Sequence, residues 1–157
     1  MPLRNIACAF ALVVGVFCAN APAFAQNEAG MTLSELQSIV SSSGLSFSTD
    51  AENKTLIIQG PDGPFVATLS ICNGARCEVM DLFTYVSAEN ISIQRINSWN
   101  LTRTFAKSYI DNDNDAVLEM YISLEGGLTA AAVAENLAIW RAAMRDWLEF
   151  ISSGPGS

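Results

Sequence analysis

The chain has 157 residues, with 8 Lys and Arg against 16 Asp and Glu, and it contains no His. This length suits one ordinary domain and is too short for two substantial ones. The acidic balance argues against a nucleic-acid partner, because binding to phosphates needs clustered Lys and Arg. The absence of His excludes His-based zinc sites, Ser-His-Asp and Cys-His nucleophile systems, and His acid–base catalysis.

Residues 1–25 are interpreted as a secretory signal peptide. Arg4 supplies a short positive start, residues 6–19 form an apolar run, and residues 23–25 (AFA) place small side chains before a cleavage site at Gln26. The run is shorter than the roughly 20 residues that a transmembrane helix needs. An uncleaved anchor and a lipoprotein are the alternatives. We expect a periplasmic or secreted protein.

Cleavage changes the charge of the chain. It removes one basic residue, Arg4, and no acidic ones, so residues 26–157 keep 7 basic and 16 acidic side chains and a net charge of −9. Two of the four Cys leave with the signal peptide. We predict a flexible leader over residues 26–30, a domain over residues 31–151 and a mobile tail over residues 152–157.

A capping box predicts where the first helix begins. Thr32 is followed three residues later by Glu35, and apolar residues then recur at helical spacing, so a helix is predicted over residues 33–42. Gly44 suits the left-handed position just after its end. Strands are predicted next, over residues 45–49, 55–59, 65–72 and 77–86, separated by turn-forming residues.

The second half of the chain predicts two more helices around a hairpin. A helix is predicted over residues 89–101, and two strands over residues 104–110 and 116–124. Thr129 caps a long final helix with one apolar stripe, formed by Val133, Leu137, Trp140, Met144, Trp147 and Ile151. The order α-β-β-β-β-α-β-β-α predicts an α+β fold, with an antiparallel sheet packed against helices.

Four stretches in this half are similar to a known family. Residues 97–100 (NSWN), 109–115 (YIDNDND), 118–119 (LE) and 124–127 (LEGG) together resemble the YbjN family, described as bacterial sensory transduction regulators. The resemblance implies a fold similar to that of type III secretion chaperones. It also implies a binding or regulatory role without catalytic residues, and by analogy a homodimer as one arrangement. Asn114 stands where the family hairpin commonly has Gly, and Asn tolerates the left-handed backbone that such a turn requires.

Cys72 and Cys77 flank a short loop between two predicted strands. Neighbouring residues at the base of a hairpin lie within disulfide range, and an oxidising periplasm favours the bond. We therefore expect a structural disulfide that fixes the hairpin register. A redox-active pair is less favoured because the spacing is C-x4-C, and a metal site lacks further Cys or His ligands.

Asp111, Asp113 and Asp115 alternate as in a calcium-binding loop. The EF-hand template needs Gly at its sixth position and Glu at its twelfth, where this chain has Ala116 and Ile122. We therefore expect a solvated hairpin turn and no cofactor or metal. A weak cation site is the alternative.

Two groups of side chains could be either structural or exposed to a partner. Asn97, Trp99 and Asn100 are expected to complete a helix face and tie its end to neighbouring backbone, with contact to a ligand or partner as the alternative. Trp140 and Trp147 are expected in the core, with a partner surface as the alternative.

Glu119 and Glu125 raise the question of a paired-carboxylate enzyme. No partner for either can be named from the sequence, so acid–base catalysis is unsupported. The leading hypothesis is a non-enzymatic exported binding or regulatory protein, whose acidic surface favours a basic segment of a protein partner. A carboxylate-based envelope hydrolase is the runner-up. A structural envelope protein is a third hypothesis.

Overall fold

The computed structural model describes residues 28–153, so the predicted signal peptide lies outside the described residues. The strands are β1 (Met31–Thr32), β2 (Ser46–Asp50), β3 (Thr55–Gly60), β4 (Gly63–Asn73), β5 (Arg76–Ser87), β6 (Lys107–Ile110) and β7 (Asp115–Ser123). The helices are α1 (Leu33–Ser42), α2 (Ile93–Thr102) and α3 (Ala130–Ser152). The α+β class and the element order are confirmed, with one short strand, β1, added at the start.

The strands form one antiparallel sheet in the order β2-β3-β4-β5-β7-β6. Consecutive hairpins join β2 to β5, and the β6–β7 hairpin returns beside β5 after α2. Strand β1 pairs with β5 where β7 has ended, with Met31 opposite Cys77. Strand β1 has no signal in the sequence, because two residues are too few to show alternation.

The start of α1 follows the predicted capping box. The Thr32 backbone N–H donates to the Glu35 carboxylate at 2.7 Å, and the Glu35 N–H donates to the Thr32 hydroxyl at 3.2 Å. Gly44 follows the helix with φ of +73°, which glycine adopts without strain. The predicted bounds of this helix are confirmed.

Helix α2 begins four residues later than predicted. The Ser92 hydroxyl accepts a hydrogen bond from the Arg95 N–H at 3.3 Å and so acts as the N-cap. The residues before it form a turn closed by the Ile91 N–H and the Ala88 carbonyl, 2.9 Å apart. The helix therefore starts directly after its capping serine and not at residue 89.

Helix α3 begins after its predicted cap, Thr129, and runs to Ser152, one residue into the predicted mobile tail. Arg95 of α2 explains this extension. Its Nε donates to the Phe150 carbonyl at 2.9 Å and its Nη2 donates to the Ser153 hydroxyl at 2.8 Å. The guanidinium thus satisfies a carbonyl that the helix end leaves free.

The apolar stripe of α3 lies at the centre of the core. Trp140 and Trp147 are completely buried. The Trp140 ring lies 6.0 Å from that of Phe65 on β4, and the Trp147 indole N–H donates to the Ser108 hydroxyl on β6 at 2.9 Å. These two tryptophans are therefore core residues, and the alternative that they form a partner surface is wrong.

The NSWN motif closes one edge of the sheet. Trp99 is buried, and its indole N–H donates to the Ala106 carbonyl at 3.1 Å. The Asn100 side-chain amide donates to the Ser108 carbonyl and accepts from the Ser108 N–H, both at 2.8 Å. The amide group of Asn100 thus takes the place of a neighbouring strand on the outer side of β6, where free backbone groups would otherwise invite pairing with another chain.

We predict that Asn100→Ala lowers the free energy of unfolding by about 1–3 kcal/mol, because it leaves the Ser108 backbone groups without partners. Asn97→Ala is the matched control, since Asn97 lies exposed on the same helix and the gain in helix propensity is similar. Urea unfolding measures both variants. Equal stability of the two variants would contradict the role given to Asn100.

Candidate functional site

Helices α1 and α3 pack on one face of the sheet, and the opposite face carries exposed aromatic and apolar side chains. We call this opposite face the open face. The exposed fractions are 59% for Tyr85, 58% for Tyr121, 44% for Ile57 and 37% for Tyr109. Such a contiguous exposed patch on a sheet is typical of an interaction surface.

The strand registers bring these side chains together. Ile57 pairs with Val66, and Val66 in turn pairs with Phe83, so an apolar row crosses β3, β4 and β5. Tyr85 lies two residues beyond Phe83 on the same face. A cavity of about 280 Å³ is lined by these residues together with Pro64, Phe65 and Thr84.

A charged cluster lies beside this apolar row. Glu119 is only 7% exposed, and its carboxylate lies 2.7 Å from the Lys107 ammonium and accepts a hydrogen bond from the Tyr121 hydroxyl at 2.6 Å. The hydrogen bond to Glu119 raises the pKa of Lys107, and the same carboxylate raises the pKa of Tyr121 to about 12. The structure therefore supplies the partners of Glu119 that could not be named from the sequence.

Asp81 is the second carboxylate of the cluster. On the open face it lies opposite Thr68 of β4 and Tyr121 of β7. Its Oδ1 is buried and receives no hydrogen bond from the described part of the chain. Burial and then the neighbouring Glu119 raise the pKa of Asp81 to about 6, against the opposing effect of Lys107.

Asp81 was missed by the sequence analysis, although a signal for it exists. It interrupts a nearly continuous apolar strand, in which Val79, Met80, Leu82 and Phe83 surround it. A single carboxylate in such a run has to be desolvated or face a partner, and either case makes it a candidate functional residue.

One carboxylate of the acidic hairpin is bonded within its own turn. The Asp111 carboxylate accepts from the N–H groups of Asp113 and Asp115, at 3.0 and 2.9 Å. Asn114 adopts a φ of +63°, as the predicted turn requires. In residues 28–153, no group of three or more Asp, Glu, Cys or His side chains could hold a metal ion.

Cys72 and Cys77 form a disulfide across the β4–β5 hairpin, where they lie directly opposite each other. Arg76, in the same hairpin, donates to the carbonyls of Ala29 and Gly30 at 2.9 and 2.8 Å. Its guanidinium also lies 3.3 Å from the Glu35 carboxylate. The hairpin therefore anchors the first described residues to the sheet.

Of the residues predicted as a partner or ligand surface, Asn97 is exposed on α2. Trp99 is buried, and Asn100 is engaged with β6. Burial corrects that alternative for Trp99, whereas Asn100 remains exposed although its amide is bonded to β6. Glu125 is exposed in the turn after β7. Among the described residues, no helix is both long and apolar enough to cross a membrane.

The comparisons with known proteins agree with this architecture. The YbjN family model, described as "Putative bacterial sensory transduction regulator", matches residues 32–153. The crystal structure of YbjN from E. coli, described as a putative transcription regulator, is similar with a TM-score of 0.59 and 15% identity, covering 77% of this chain and 89% of that one. None of the curated proteins matches the chain.

A second solved structure shares the fold. It is the HopA1–SchA chaperone–effector complex, with a TM-score of 0.54 and 17% identity, covering 74% of this chain and 91% of the matched one. Identities this low show the fold alone. The predicted similarity to a chaperone-like fold is confirmed.

We predict that Asp81→Asn raises the free energy of unfolding at pH 7.5 by about 1 kcal/mol, after allowance for the solvent that screens a half-exposed carboxylate. The folded pKa of about 6 lies above the ordinary value of 3.8 for Asp, so between these values the folded protein binds more protons than the unfolded one. The contribution of Asp81 to the stability of the wild type therefore rises as the pH falls from 7 to 4, and the advantage of the variant shrinks.

Urea unfolding at pH 7.5 and 4.5 measures this difference. Asp113→Asn is the control, since it removes a charge from an exposed turn and should change stability by less than about 0.5 kcal/mol. An advantage of Asp81→Asn that is the same at both pH values would refute the raised pKa of Asp81.

Proposed function

The chain belongs to the YbjN family, and from that premise we propose that it is a non-enzymatic, exported regulatory protein of the bacterial envelope that docks a protein partner on its open face. The family description fits a regulatory protein and not an enzyme. The observation that carries the proposal is the uncovered aromatic face of the sheet.

The aromatic residues divide between the two faces of the sheet. All three Trp of the chain are buried, whereas all three Tyr lie on the open face with at least 37% of each exposed. Tyr is enriched at protein interfaces, because its ring buries apolar area while its hydroxyl stays compatible with water. This division supports docking of a partner rather than further packing within the chain.

The likeness to a chaperone–effector complex supports the same proposal. One protein of that structure shares the fold of this chain, and the complex joins a chaperone to an effector protein. A protein partner is thus compatible with the fold. The partner of this chain is proposed from the chain's own surface, because at 17% identity the partner of the other protein cannot be assigned to this one.

Export is proposed from residues 1–25, whose short basic start, apolar run and small residues before Gln26 match a signal peptide. The Cys72–Cys77 disulfide supports this, because such bonds persist in oxidising compartments such as the periplasm. The partner is therefore expected in the envelope or outside the cell.

The hydrolase alternative receives no support from the charged cluster. Glu119 is engaged by Lys107 and Tyr121 and is not free to act as an acid or base. It lines a cavity of about 270 Å³, and Asp81 is not among the residues that line that cavity. A glycosidase needs two carboxylates that converge on one substrate.

Site-specific photo-crosslinking in cells that express the full chain tests the docking proposal. We expect a photoreactive phenylalanine at position 85, on the open face, to give a discrete adduct in the periplasmic fraction. The same residue at position 41, exposed on α1, should not. Adducts from both positions, or from neither, would contradict the proposal.

Two matched variants identify the surface. Ile57→Asp, on the open face, should reduce the adduct at position 85 about tenfold, since an unpaired carboxylate in an interface costs at least the roughly 1.4 kcal/mol that this factor represents. Ile93→Asp is the control, because Ile93 is similarly exposed, at 51% against 44%, but lies on α2. Equal losses in both variants would overturn the assignment to the open face.

We also propose that the mature chain is a homodimer, as the resemblance implied, through a second apolar patch. Leu101 and Phe105, at and just after the end of α2, are 86% and 68% exposed. Phe105 also lines a groove of about 350 Å³ against α3, whose wall includes Ile139, Ala142 and Ala143. A patch and a groove side by side can be self-complementary across a two-fold axis.

Light scattering on residues 26–157 tests the homodimer, and this segment contains every described helix and strand. We expect twice the mass of one chain for the wild type and for Ile57→Asp. The double variant Leu101→Asp and Phe105→Asp should have the mass of one chain. A wild type with the mass of one chain would refute the homodimer and leave partner docking to the crosslinking result.

A further inference from the structure

The charged cluster of Asp81, Glu119 and Lys107 on the open face has one carboxylate more than it has cations. Lys107 pairs with Glu119 at 2.7 Å, and its ammonium also lies 5.0 and 5.5 Å from the ring centres of Tyr121 and Tyr109. This cation is therefore held by one carboxylate and two aromatic rings. The charged neighbours of Asp81 are Glu119 and Lys107, so the three groups together carry one net negative charge.

Asp81 offers similar chemistry without its own cation. Its carboxylate lies opposite the exposed Tyr121 across the sheet, and Phe83 follows two residues later on the same face. Its Oδ1 is buried and receives no hydrogen bond from the residues that the structure describes. A buried acceptor without a donor costs stability, and a cation of a docked partner that pairs with the partly exposed carboxylate would offset part of that cost.

We propose that Asp81 accepts an arginine side chain of the docked partner segment, so that the open face selects basic over neutral segments. A guanidinium fits this place because its planar group donates to a carboxylate and stacks on aromatic rings at the same time. The apolar row of Ile57, Val66 and Phe83 would receive the side chains beside the arginine.

The charges around Asp81 favour the binding of one additional cation beside its carboxylate. The titratable groups that face it are Glu119 and Tyr121 on β7 and Lys107 on β6. Strand β4 contributes the uncharged Thr68. The chain after cleavage carries a net charge of −9, which also favours approach of a basic segment. This inference rests on the proposed docking function and specifies the chemistry of the partner.

A pair of matched peptides tests the proposal on residues 26–157. Acetyl-Val-Arg-Val-amide and the same peptide with citrulline differ in charge but hardly in shape. In NMR titrations at pH 7.5 we expect the arginine peptide to shift the resonances of Thr68, Asp81 and Tyr121 and to bind about tenfold more tightly than the citrulline peptide, as expected for a charge-assisted hydrogen bond.

Asp81→Asn should abolish the preference for arginine, whereas Asp113→Asn should preserve it. The preference should also weaken at pH 5 in the wild type, because Asp81 is then largely protonated, and should not change with pH in Asp81→Asn. Equal binding of the two peptides to the wild type, no binding of either peptide, or an unchanged preference in Asp81→Asn would each overturn the proposal.

The crosslinking result separates this inference from the docking function. If position 85 still gives its adduct at full yield in Asp81→Asn cells, docking stands and recognition of arginine is refuted. If position 85 gives no adduct in the wild type, the docking function itself fails, whatever the peptides show.

Discussion

The packing of helix α3 against one face of the sheet determines which side chains form the core and which face of the sheet stays exposed. Helix α3 places Trp140 and Trp147 on the inner face, where Trp147 also donates to Ser108. All three tryptophans are buried in this inner layer, with Trp99 at the edge beside β6. The other face of a well-packed sheet is thereby left to water, and its side chains are free to be selected for binding.

The open face carries side chains that are unusual for a solvated sheet face. A sheet with one solvated face usually carries small polar residues on it. Here it carries three tyrosines, an apolar row and two carboxylates. The Glu119–Lys107–Tyr121 contacts are internally satisfied and can fix the shape of this surface, whereas Asp81 has a burial cost without a compensating donor. A site that keeps an unfavourable group in the free protein is typical of a surface that stability alone did not shape.

The elements of this fold could be predicted from the sequence, because their signals are local. The Thr32–Glu35 capping box, the Thr129 cap and the stripe of α3 each depend on neighbouring residues. The later start of α2, after its cap Ser92, was not predicted, because the polar residues Glu89 and Asn90 can begin a helix as well as Ser92 can. The contacts of Arg95 with the end of α3 are also not visible in the sequence.

The open face could not be predicted, for a physical reason. Strand β5 has apolar residues at both alternations, Met80 and Leu82 on one side and Val79 and Phe83 on the other. Alternation then fails to indicate which side meets the helices. The neighbours of Glu119 depend on the pairing of β6 with β7 and of β7 with β5, which spacing along the chain does not reveal.

If the open face meets a partner in the envelope, its methyl groups should respond to that partner. Methyl NMR on labelled residues 26–157 checks this by comparing spectra in buffer and in periplasmic extract. We expect the Ile57 and Val66 methyl signals to shift or broaden in the extract, whereas the Ile93 signal should not change. Uniform changes at all three residues, or changes at Ile93 alone, would contradict it.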